Sequence, residues 1–147
     1  MPASSPFSNV AVIGIGLIGA SIIHAAKHHQ LPVSFTAYDN HPNVRGQAAD
    51  LLPHAQITSS LQQAVANADL VILAVPVGVM EQVMKDMAPH LQPGCVITDT
   101  GSTKRSVIRD VAPFVPEACY FIPGHPLAGT EFSGPAAGFA SLFESRY

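Results

Sequence analysis

The chemistry this chain can do rests on Gly14, Gly16, Gly19, Asp39, Ser102 and His125. The glycines stand at the spacing G-x-G-x-x-G. The apolar, β-branched run Asn9–Ile13 precedes them, and apolar and small residues at helical period follow through Ala26. Glycines placed where a strand becomes a helix are the setting in which a dinucleotide pyrophosphate is held. Gly14 permits the tight turn, Gly16 lets the backbone approach the phosphates, and Gly19 lets the helix pack close to the strand. Leu17 and Ile18 carry amides at the helix start, which face an anion with the helix dipole behind them. Alone, the fingerprint also fits a glycine-rich turn without a ligand. Asp39 shifts the balance. It ends the second apolar run, Val33–Tyr38, twenty residues after Gly19. A carboxylate there accepts hydrogen bonds from the adenosine ribose and repels a 2′-phosphate, so NAD is expected in preference to NADP. Arg45 lies close enough in sequence to soften that repulsion. The plainer reading of Asp39-Asn40 is a turn after a strand.

Ser102 and His125 sit in two later polar stretches, Asp99-Thr-Gly-Ser-Thr-Lys104 and Pro123-Gly-His-Pro-Leu-Ala-Gly-Thr-Glu131. Among the seven histidines, His125 stands apart, held between Gly124 and Pro126 just past a strand. Imidazole is the side chain that exchanges a proton near physiological pH. Beside a nicotinamide it can act as the general base that alcohol oxidation needs, removing the hydroxyl proton as hydride leaves the carbon. Ser102, at a helix start, could hydrogen-bond His125 or a substrate hydroxyl. A loop histidine and a helix-capping serine fit the same spacing. His24 and His28 share a helix face, but no Asp, Glu or Cys lies near them in sequence. Histidines also suit the negative end of a helix, so no metal is expected.

Positioning these residues requires strands and helices in alternation. The first helix runs to about His29, with Ile18, Ile22 and Ala25 or Ala26 as its buried stripe, and Leu31-Pro32 ends it. His41-Pro42 opens a second helix, which Pro53 stops. Ile57–Ser59 is a brief third strand, and Ser60 caps a short helix over Leu61–Ala66. The run Leu70–Pro76 is apolar on both faces, as a central parallel strand must be. Its end, with Val75 and Pro76, should lie beside the cofactor, because ligands sit at the carboxyl ends of parallel strands. Met80, Val83, Met84 and Met87 follow at helical spacing and read as core. Cys95–Thr98 is a fifth strand, a helix runs on through Val111, and Tyr120–Ile122 is a sixth. Thr100 and Gly101, past the fifth strand, complete the expected cofactor contacts. The pattern is α/β: a doubly wound, mostly parallel, Rossmann-type sheet forming one dinucleotide-binding domain over residues 1–147.

Composition narrows the partners. Charged residues are only 12% of the chain, against roughly 25% in typical domains. That fits either an alanine-rich α/β domain or a surface partly covered by something outside this chain. The net charge is −3 without a long basic run, which argues against nucleic acid. The first eight residues lack the basic start and apolar core of a secretion signal. No stretch approaches the ~18 apolar residues of a membrane span. Cys95 and Cys119 each border an apolar run and read as buried thiols, which fits a reducing cytoplasm.

Gly14-Ile-Gly-Leu-Ile-Gly-Ala-Ser21, Asp99-Thr-Gly-Ser-Thr-Lys104 and Gly124-His-Pro-Leu-Ala-Gly-Thr-Glu131 together resemble the prephenate dehydrogenases and their arogenate-using relatives. The resemblance covers almost the whole chain, and its last segment is far more specific than the glycine fingerprint. It implies NAD-dependent oxidative decarboxylation of prephenate or arogenate to the tyrosine precursor. By the same resemblance His125 matches the histidine that accepts the ring-hydroxyl proton, and Ser102 matches a serine that hydrogen-bonds in the active site. Glu131, with Thr130, falls at the substrate pocket. Lys104 and Arg105 could attract a dianionic substrate or the cofactor phosphates, or simply be solvated charges early in a helix. Members of the family carry a second, mostly helical domain that supplies basic substrate-binding residues and a homodimer contact. This chain stops at Phe143-Glu-Ser-Arg-Tyr147, where the family enters a last strand of its first domain, so the helical domain is expected to be absent here. Two other readings fit the residues: another two-domain NAD-dependent hydroxy-acid dehydrogenase, and a non-catalytic NAD-binding module.

Overall fold

Strand β1 (Asn9–Ile13) buries side chains in both directions. Val10 and Val12 pack with Phe35, Ala37 and Ile72 on one face, while Ala11 and Ile13 pack with Val71, Leu73 and Ile97 on the other. A strand apolar on both sides needs a layer of helices on each face. The computed structural model, which describes residues 4–146, has that arrangement. In chain order the elements after β1 are α1 (Leu17–His28), β2 (Ser34–Tyr38), α2 (Pro42–Leu51), β3 (Ala55–Thr58) and α3 (Leu61–Val65). There follow β4 (Leu70–Leu73), α4 (Val77–Met87), β5 (Val96–Asp99), α5 (Lys104–Val111) and β6 (Tyr120–Ile122). The sheet order is β3-β2-β1-β4-β5-β6. All five pairings are parallel, so the sheet is wholly rather than mostly parallel. Helices α1 and α2 cover one face; α3, α4 and α5 cover the other.

The chain leaves β1 toward β2 on one side and returns to β4 on the other. Strand order therefore reverses at β1, and a crevice opens beyond the carboxyl ends of β1 and β4. The methionine row lies where its spacing puts it: Met80, Met84 and Met87 are fully buried under α4. Ser60 caps α3, its hydroxyl accepting from the Gln63 amide at 3.1 Å.

Three elements differ from the sequence reading. Strand β4 ends at Leu73, because Pro76 begins the turn into α4 and cannot donate to a ladder. Strand β3 starts earlier, at Ala55, where pairing to Phe35 of β2 fixes the register. The buried side of α1 is Gly19, Ala20, Ile23 and Ala26, with Ile18 and Ile22 only half-buried. The helix lies so close to the loop that only small residues fit between them. The end of the described chain is also different. Residues 140–145 form turns, not a strand. A 3-10 turn at Pro135–Ala137 packs on α1 and α2. The Phe139 amide donates to Ser21 Oγ at 3.1 Å, and Leu142 is buried.

Candidate functional site

The glycine loop is built by contact and by conformation. Gly14 has φ +100°, a left-handed value that favours glycine, and a Cβ there would lie 2.5 Å from the Ala74 carbonyl oxygen. A Cβ on Gly19 would fall 2.1 Å from the Gly14 carbonyl oxygen, so the helix can reach the loop only without one. Gly16 faces open space, with no atom within 4 Å of its ideal Cβ position. Helix α1 starts there without a side-chain cap and without an acidic residue in its first turn. The Leu17 and Ile18 amides belong to that first turn, whose donors have no partner inside the helix. Free amides, a positive helix end and an open approach at Gly16 fit an anion such as a pyrophosphate.

Asp39 follows β2 on the rim of the same crevice, with its side chain 15% exposed. Its Oδ2 accepts from the Ile15 amide at 3.0 Å, and its Oδ1 accepts from the His41 amide at 3.0 Å. The His41 ring lies against Oδ1 as well, at 3.1 Å. Oδ2, with one donor, keeps capacity for another, whereas Oδ1 is filled by the His41 amide and ring when Nδ1 carries its proton. Arg45 donates to the Asp39 carbonyl at 2.8 Å, which places a guanidinium beside the acid. Between loop and rim lies a cleft of about 490 Å³ lined by Gly14, Gly16, Asp39, Val75 and Pro76, among others. The rest of its wall mixes apolar residues such as Tyr38, Val79 and Val83 with polar ones that include Gln82 and Asp86. A larger hollow, about 760 Å³, opens at the amino ends of β1 and β2, away from these residues.

Beyond β5 and β6 the polar stretches meet through Asp99, a residue whose part sequence reasoning missed. Its carboxylate is buried. It accepts from the Gly101 amide at 2.8 Å and the Gly124 amide at 3.1 Å, and it pairs with Lys104. Lys104 also donates to the Gly124 carbonyl. So Lys104 is neither a solvated charge nor free to attract a phosphate. Thr100 donates its amide to the Leu73 carbonyl at 3.1 Å, which ties this turn to the end of β4. Ser102 and His125 flank the Asp99 cluster and are both exposed, and among the described residues no hydrogen bond joins them. Ser102 is not a helix cap: the N-cap of α5 is Thr103, without a side-chain bond. Thr130 and Glu131 lie further out on the exposed segment after His125, Thr130 accepting from the Phe132 amide at 3.2 Å.

The remaining titratable groups lie elsewhere. The partners of His28 are His29 and Glu144, not His24: the ligand atoms of these three exposed residues fall within 4.8 Å of one another. Glu144 is too remote in sequence for the helical spacing to have found it. Cys95 and Cys119 are buried free thiols, as their apolar flanks predict.

A family model described as the prephenate dehydrogenase nucleotide-binding domain matches residues 22–147. The chain is 45% identical over 138 residues to the cyclohexadienyl dehydrogenase of Zymomonas mobilis, covering 94% of this chain and 47% of that protein. It is 32% identical over 142 residues to the prephenate dehydrogenase of Lactococcus lactis, with 94% and 39% covered. The Aquifex aeolicus prephenate dehydrogenase, solved with hydroxyphenyl propionate and NAD+, superposes with a TM-score of 0.84 at 27% identity, covering 95% of this chain and 48% of that one. The chain thus spans less than half the length of these two curated relatives.

Proposed function

The chain belongs to the prephenate dehydrogenase nucleotide-binding family, and from that premise we propose that it is the NAD-binding half of an enzyme that oxidatively decarboxylates prephenate or arogenate to the tyrosine precursor. The observation that carries this reading is the cleft between the glycine loop and Asp39, at the carboxyl ends of the parallel strands. The amides of Gly16, Leu17 and Ile18 hold the pyrophosphate, and Gly19 keeps the helix close enough for them to do so. Asp39, braced by Ile15 and His41, accepts from the ribose hydroxyls. Val75 and Pro76 wall the cleft, and the turn of Thr100 and Gly101, past the end of β5, would back the nicotinamide end of the cofactor.

When bound, NAD supplies the hydride acceptor for the ring carbinol. His125 takes the hydroxyl proton as the carbon–hydrogen bond breaks, and Ser102 hydrogen-bonds the imidazole or the same hydroxyl. Loss of the ring carboxylate as carbon dioxide then leaves an aromatic ring, which makes the step effectively irreversible. Thr130 and Glu131 lie on the segment after His125 and face the substrate side. The family resemblance points to a homodimer for the complete enzyme, and the two buried free thiols fit a reducing cytoplasm.

Calorimetric titration tests the cofactor assignment. NAD should bind at least about tenfold more tightly than NADP, a difference of ~1.4 kcal/mol. Arg45→Ala should widen the gap, because it removes the cation beside Asp39. Equal affinities for the two nucleotides would reject the role of Asp39. Turnover of prephenate by the complete enzyme with NAD tests the reaction itself.

A further inference from the structure

Asp99 is the one buried charged side chain among the described residues. A buried ion pair is weak evidence for stability, since desolvation offsets most of its attraction. What this pair does is geometric. The Asp99 carboxylate takes the amide of Gly124, while Lys104 takes the carbonyl of the same residue. That carbonyl belongs to the peptide bond leading into His125 and the amide to the peptide bond before it, so the two peptide planes that meet at Gly124, just ahead of the imidazole, are each held at one edge. The same carboxylate takes the amide of Gly101, which precedes Ser102. A Cβ on Gly124 would lie 2.8 Å from the Asp99 carbonyl oxygen, so the segment is pressed against the end of β5. The Lys104 side chain is 30% exposed, and its reach from α5 to Gly124 spans the gap between the two polar stretches.

We propose that Asp99 and Lys104 are a positioning pair that aims His125, and with it Ser102, at the reacting hydroxyl. This rests on the reading of His125 as the base. The two residues fix the backbone on which the proton acceptor is mounted, and a small misplacement of such a group costs rate rather than affinity.

The test is a double-mutant cycle in the complete enzyme, assayed with prephenate and NAD. Lys104→Met should lower kcat about tenfold to a hundredfold, the usual effect of losing a residue that orients a reactive group. Prephenate KM and NAD affinity should stay within about threefold of the parent. In a His125→Asn background the same Lys104→Met change should cost less than about threefold, because there is no longer a base to aim. Lys104→Arg, which can still bridge the Asp99 carboxylate and the Gly124 carbonyl, should recover most of the lost kcat. An equal loss in both backgrounds, or a fall in NAD affinity that tracks the fall in kcat, would reduce the pair to a structural tie and overturn the proposal. So would full activity in Lys104→Met. If His125→Asn alone left kcat untouched, the reading of His125 as the base would fail instead.

Discussion

Oxidising a carbinol releases a proton at the moment hydride departs, and a nicotinamide pocket that excludes water leaves few places for it to go. His125→Asn in the complete enzyme should therefore lower kcat by about 10²–10⁴ while NAD affinity holds. A different histidine sets a pH dependence of stability. Burial, and then the neighbouring His54, lower the pKa of His24 from its ordinary value of 6.5. The folded state thus favours the neutral ring, and the unfolded state takes up the proton first as pH falls. The contribution of His24 is complete above 6.5 and drains away below it as pH passes down through the folded value. Urea midpoints across that range should fall on the acid side, and His24→Gln should flatten the slope. At this scale the sequence was readable where function is local. Gly14, Gly16 and Gly19 work within one turn, and Asp39 works at a fixed distance along the chain. Lys104 was ambiguous because its partner Gly124 lies twenty residues on, past the end of β6. Nothing in the spacing of Asp99 says that its carboxylate turns inward.

Among the elements, α1 shows most clearly how a single residue governs a contact. Gly19→Ala would drive a methyl group into the Gly14 carbonyl. It should cost about 1–3 kcal/mol in denaturant unfolding, the usual range for overpacking. The change should weaken NAD binding further, because the helix start must retreat from the phosphates. All six strands and five helices were legible from runs of Val and Ile and from the prolines between them. The rotation of α1 by one residue was not. Hydrophobicity points to Ile18, Ile22 and Ala25 or Ala26 as the buried stripe; Ala26 is buried, but Gly19 and Ala20 at the close helix–loop approach turn Ile23 inward in place of Ile18 and Ile22. The turns over residues 140–145 escaped for a related reason: the segment leading into them is tied to α1 by the Phe139 amide on Ser21 Oγ, a tertiary contact that no repeating pattern announces.

For the whole molecule, the low charge content fits either an alanine-rich α/β domain or a surface normally covered, and the exposed apolar side chains bear on the second. Tyr120 and Ile122 on the edge strand β6 are 63% and 59% exposed, and Leu127 and Phe132 on the segment beyond are 59% and 66% exposed. Exposed aromatic and aliphatic side chains clustered on and after an open edge strand favour association. The 147-residue chain should self-associate at high concentration in analytical ultracentrifugation. Replacing Ile122 and Phe132 with lysine should shift it toward monomer; a parent chain that stays monodisperse would reject this account of the surface.

The two buried thiols turn the same region into a clock. Cys95 and Cys119 stand immediately before β5 and β6, where the pairing of Val96 with Tyr120 sets them side by side. Burial, helped by Cys119 and Asp69, pushes the Cys95 thiol up to about 12, and burial raises Cys119 as well. Neither can be modified until the sheet opens around it, so the labelling rate counts openings rather than collisions. Cys119 is 8% exposed at the start of the edge strand, while Cys95 is fully enclosed at the start of the next strand in. Under dilute Ellman's reagent, colour should therefore develop in two phases, Cys119 first. The interval between them measures how much longer the sheet keeps its interior closed after its rim has let go.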